Sequence, residues 1–191
     1  MGNTAWAEVS LAFTGALRLA HGDRGGLACF DRSHDGFWRS FRAAAITYPL
    51  YLVLLTMRVS VAEWQRSGGW RIVIVETIGY VIAWVAFPLL MIEVTRWIGR
   101  ANRFFDFMVP YNWCQIPQTA LFALVGVGTE SRILSPGAGQ SLDIVAAIAT
   151  LVYEWYIARV ALDTTGSAAA FVVIVDLVLG VAINRVAGGL Y

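Results

Sequence analysis

Apolar residues in this chain fall in long blocks broken by short polar punctuation, the pattern of helices that each cross an apolar slab. Between Arg42 and Glu63 the only charge is Arg58, close enough to one end to snorkel. A second block carries Glu76 as its single charge, and the third, 107–129, carries none. A fourth contains Glu154 and Arg159, and a fifth contains Asp176. Each block is about 20 residues long, the length a membrane-spanning helix needs. The predicted architecture is all-α: a polytopic transmembrane bundle of five spans at 43–62, 72–92, 107–129, 144–162 and 164–184. An arm, 1–42, precedes the bundle, 43–191. Only the short stretch Asp163 to Ser167 separates the last two spans, which predicts a tight helical hairpin or one re-entrant pair. In the arm, Val9, Phe13, Leu17 and Ala20 recur at helical spacing, predicting an amphipathic helix in the membrane interface.

Within the spans the polar and small residues also keep helical spacing. Glu76, Gly79, Ala83 and Ala86 form one stripe; Asn112, Gln115 and Thr119 form another. Ala147, Thr150, Glu154 and Ala158 lie on the fourth span, and Asp176, Gly180 and Asn184 on the fifth. Small residues let helices approach closely, and amides and hydroxyls bond across the gap, so the expected bundle is polar inside and apolar toward lipid.

Composition agrees and removes several classes. Of 191 residues, 58% are hydrophobic and 14% charged, leaving too few polar side chains to cover a water-facing surface. All 14 basic residues are arginine, so no lysine can hold a retinal Schiff base. His21 and His34 both precede the first span, which argues against haem or chlorophyll ligated inside the bundle, and no cofactor is expected. Cys29 and Cys114 sit in unlike settings and do not read as a disulfide framework. A net charge of +1 offers nothing to nucleic acid. The arm has neither a basic n-region nor a small-residue cleavage site, and Trp6 stands where myristoylation needs Ser or Thr.

Arginine asymmetry suggests orientation. With a cytoplasmic N-terminus only Arg58, Arg66, Arg71, Arg132 and Arg185 lie on the far side, which favours N-in and C-out. Trp38, Trp64, Trp70 and Trp97 fall at span ends, where an aromatic belt sits.

Candidate chemistry lies with the intramembrane ionisable groups, which are costly and seldom idle. Glu154 and Asp176 fall near mid-depth on adjacent helices, level with Asn112 and Gln115. Two carboxylates sharing a low-dielectric interior make a protonatable site, as a proton-coupled carrier needs. Equally, the four groups serve to fix helix register. Glu76 and Arg185 both fall near the outer interface and are expected to form an interhelical ion pair, with Arg159 and Asp163 a supporting pair on one helix. Pro110 and Pro117 bracket PYNWCQIP in the third span, a segment that either lines a cavity or bends around its neighbours. His21, Asp23, Cys29, Asp31, His34 and Asp35 match no standard zinc spacing, so no metal is expected. No nucleophile–base set or phosphate loop appears, so an enzyme is not expected.

The run ALRLAHGDRGGLACFDRSHDGFWRSFRAA, followed by five spans with YNWCQIPQ in the third, resembles small alphaproteobacterial inner-membrane proteins distantly similar to the Yip domain family. That resemblance implies five helices, a cytoplasmic N-terminus and a role in organising membranes through partners. The leading expectation is a non-enzymatic accessory, assembly or membrane-organising subunit, contacting membrane lipids and other membrane-protein subunits or further copies of itself. Phe104, Phe105 and Phe107 are expected to face lipid or partner. The alternative is a small oligomeric proton- or ion-coupled carrier or channel using the polar midplane layer.

Overall fold

A computed structural model describes the backbone of residues 2–191, and the side chains of residues 6–135 and 137–191. Among the described residues every regular element is helical: α1 (Gly2–Ala20), α2 (His34–Ser40), α3 (Arg42–Arg58), α4 (Val61–Ser67), α5 (Gly69–Trp97), α6 (Phe104–Glu130), α7 (Pro136–Ala161) and α8 (Gly166–Gly188). Four helices are long and apolar enough to cross a membrane: His34–Arg58, Gly69–Trp97, Gly137–Ala161 and Gly166–Gly188.

The first of these differs from the expected 43–62. It begins with α2 and continues through α3 with only Phe41 between them, and it ends at Arg58. Ser60 then starts a new helix, α4, with a capping box: its hydroxyl accepts from the Glu63 amide while the Glu63 carboxylate takes the Ser60 amide. The last two apolar helices have 26 and 23 residues, so they form a full-length hairpin. The Thr165 side chain caps α8, and the Trp155 indole donates to the Gly166 carbonyl across the turn at 2.8 Å. Pro136 is the first residue of α7, a favoured place for proline.

Side-chain pairings give the helix order. Tyr48 meets Thr77 and Thr47 meets Tyr80, so α3 and α5 run antiparallel across a layer of tyrosines. Arg71 reaches Leu190 and Gly79 faces Ile183, placing α8 antiparallel to α5. Helix α7 packs on α8 and α6, and α6 packs on α3. The five long helices therefore close into a ring, α3–α5–α8–α7–α6, with the polar stripes turned inward.

Helix α6 is not among the four helices apolar enough to cross a membrane, and it is the most enclosed of the five. Every residue from Phe107 to Cys114 is buried, covered by α1, α2, α3, α5 and α7. Phe107 is thus an interior residue, packed against Phe87 and Tyr111, and not lipid-facing. Phe104 and Phe105 pack on Phe37. The helix continues unbroken through Pro110 and Pro117.

The arm helix also faces another way than expected. Its buried side is Ala12, Gly15, Ala16 and Leu19, while Phe13 and Leu17 are exposed. A Cβ on Gly15 would stand 2.7 Å from the Cys29 Cβ, so the helix seats itself by small residues against the Arg24–Cys29 turn and α6. Glu8 binds both Arg39 and Arg42 at 2.9 Å, and the Tyr153 hydroxyl donates to the Ala16 carbonyl at 2.7 Å. Burial of its small face, reinforced by these polar ties, outweighs the pull of the larger apolar side chains.

Candidate polar site inside the helix ring

Four polar residues singled out from spacing line one cavity of about 360 Å³ between α5, α6, α7 and α8: Asn112, Gln115, Glu154 and Asp176. Helical periodicity explains the convergence, since each stripe occupies the side of its helix that faces the ring interior. Pro88 and Gly180 belong to the same wall.

The members differ in how far they are satisfied. Asn112 is 1% exposed, and its amide donates to the Ser40 hydroxyl at 2.8 Å, tying α6 to the end of α2. Ser40 in turn donates to the Phe37 carbonyl. Asp176 accepts from the Tyr111 hydroxyl at 2.6 Å. Glu154 is 9% exposed and, among the described residues, receives no hydrogen bond and no cation. Tyr111 was not singled out beforehand. Its place in PYNWCQIP marked the segment as polar, but only the packing of α6 on α8 shows which acid it serves.

Glu76 occupies a second polar site, where α3, α5 and α8 meet, and its arrangement corrects the expected pairing with Arg185. Its partner is Arg58, with Nη2 2.6 Å from Oε2. Tyr51 donates to the same oxygen at 2.5 Å and Tyr191 to Oε1 at 2.6 Å. Arg58 also donates to the Asn184 amide oxygen at 2.8 Å. Arg185 is exposed and makes no ion pair among the described residues. The reason is rotational: Arg185 directly follows Asn184 on α8, so only one of the two can face the ring interior. The Arg159–Asp163 pair does not form either. Arg159 lies over the Trp155 ring at 5.2 Å, while Asp163 caps the turn with φ 48° and lies 3.9 Å from Arg103.

In the arm, the potential ligands are tied up by neighbours: Asp23 by Arg18 and the Gly25 amide, Asp31 by Arg39 and the Ser33 amide. The Arg18 guanidinium holds the Asp23 carboxyl below the usual carboxylate range, with the Gly25 amide adding to it. No group of three metal-ligating side chains occurs among the described residues.

No family model, curated protein or solved structure matches this chain, so its chemistry must be read from these contacts.

Proposed function

We propose that the protein is an integral membrane protein that binds and releases a proton at the Glu154–Asp176 pair, coupling it to passage of a proton or small solute. The observation that supports this reading is the state of Glu154, which is nine-tenths buried, receives no hydrogen bond among the described residues and lines a cavity shared with Asp176. A charge at the centre of a bilayer costs about 2.5–3.5 kcal/mol on insertion scales, and a purely structural carboxylate recovers that cost through donors. Glu76 in the same molecule does so. Glu154 does not, and it lines its cavity beside a second carboxylate, Asp176.

In this reading α6 is a fifth crossing. Its 27 residues reach roughly 40 Å, more than the hydrocarbon thickness of about 30 Å. Its polar sequence suits a helix enclosed by five others. The arginine asymmetry favours a cytoplasmic N-terminus, and the resemblance to alphaproteobacterial Yip-like proteins suits a bacterial inner membrane. Helix α1 then lies at the cytoplasmic interface.

A second reading, the accessory or membrane-organising subunit, draws on the exposed side of α1, where Trp6 is 76% exposed and Phe13 and Leu17 stand beside it. That surface suits lipid or another subunit. It is compatible with the proton site, because the two lie on different parts of the molecule.

Purified protein in liposomes loaded with a pH-sensitive dye separates the readings. Wild type should collapse an imposed pH gradient faster than empty liposomes, and Glu154→Gln and Asp176→Asn should abolish the difference. Wild-type flux no greater than that of empty liposomes overturns the proton reading and leaves the accessory one.

A further inference from the structure

We infer that the carboxylate pair is reached from one face only, the face carrying the α6–α7 turn, through cavities in series with Phe122 as the gate between them. The chemistry of what travels rests on the proton reading; the route itself rests on geometry. Glu154 and Asp176 line a second cavity of about 250 Å³, walled by Thr150 and Phe122. Phe122 also walls a third, of about 410 Å³, which contains Arg58 and Asp143. Arg58 is the last residue of α3 and Asp143 is exposed in the first half of α7, so this third cavity lies at the end of the bundle away from α1 and α2. Phe122 is the residue that the two cavities share.

Toward the other face aromatic rings fill the space between the start of α3, α5 and α6: Phe41 packs on Trp84, and Phe87 packs on Phe107 and Tyr111. The first half of α6 is buried.

Charge along the route selects its traffic. Asp143, Glu154 and Asp176 are acidic, and the one cation, Arg58, already balances Glu76. Rings and rows of carboxylates draw cations and repel anions. The route is therefore assigned to protons or small cations. Thr150, whose buried hydroxyl has no partner among the described residues, lines the passage one turn from Glu154.

Cysteine labelling tests this without any flux measurement. In a Cys29→Ser, Cys114→Ala background, single cysteines replace Thr150, Asp143, Ile133 on the α6–α7 turn, and Arg96 at the opposite end. Sealed vesicles are exposed to a membrane-impermeant thiosulfonate on one side at a time. Thr150→Cys should react from the face that labels Ile133→Cys and be protected from the face that labels Arg96→Cys. A trimethylammonium reagent should outpace a sulfonate one. Phe122→Trp should suppress labelling at Thr150→Cys while leaving Asp143→Cys unchanged, and Phe122→Ala should accelerate it. Labelling of Thr150→Cys from the Arg96 side, none from either side, or indifference to both Phe122 variants overturns the route. If the labelling pattern holds and liposome flux is absent, the route stands and the proton reading falls.

Discussion

Glu76 and Glu154 are both buried glutamates on long apolar helices, yet their surroundings are opposite. Glu76 is 2% exposed and meets an arginine and two tyrosines, so its charge is balanced and both oxygens are bonded. Glu154 is 9% exposed and meets a cavity and a second acid. Both carry the same expense of burial, and only one is compensated. An acid that has been compensated holds helices together; an acid that has not is available for a ligand, and the smallest ligand is a proton.

That contrast can be broken in several ways. The largest effect is expected on flux: Glu154→Gln or Asp176→Asn should lower proton movement into liposomes by about a hundredfold or more, the scale of a lost proton-transfer group. Glu154→Gln should leave unfolding in mixed detergent micelles within about 1 kcal/mol of wild type, because Glu154 receives no hydrogen bond among the described residues, whereas Asp176→Asn also weakens the bond from Tyr111. A large loss of stability with flux intact would make Glu154 a second Glu76.

Arg58→Met should behave in the reverse sense. Stranding the Glu76 carboxylate should cost about 3 kcal/mol of stability, the low end for a buried pair because Arg58 is half exposed. Adding Glu76→Gln should restore part of that loss, and an additive double variant would show that the pair is not coupled.

A smaller effect is expected in the arm. Gly15→Ala drives a methyl group into Cys29 and Phe30 and should cost about 1–3 kcal/mol by overpacking, whereas Leu17→Ala should stay within about 0.5 kcal/mol. The opposite ranking would mean that α1 is held by its Phe13–Leu17 side.

Smallest is the pH response of the Asp23 corner. Its carboxyl titrates below the ordinary value of 3.8 because Arg18 and the Gly25 amide bind the charged form. That support is complete above the unfolded value and fades as pH falls through the lowered folded one. The protection factor of the Gly25 amide, its exchange compared with the intrinsic rate at the same pH, should therefore hold at neutral pH and fall in acid, and Asp23→Asn should flatten the profile.

The sequence by itself determined that the chain is helical, which segments are apolar, and which side of each long helix is polar. Those properties are local: helical periodicity assigns Asn112, Gln115, Glu154 and Asp176 to inward stripes before any neighbour is known. Tertiary structure decided the rest, because partnership depends on rotation and depth between distant helices. It gave Glu76 to Arg58 and not to Arg185, turned Phe107 inward, and seated α1 on Ala12 and Ala16 when its bulkier residues pointed to the other side. It also explains why α6 is the most buried of the long helices: the Asn112 amide and the Tyr111 hydroxyl find partners on neighbouring helices, which lipid cannot supply. The unmatched state of Glu154 belongs to this second kind of fact, for an absent donor is visible only when every neighbouring helix is in place.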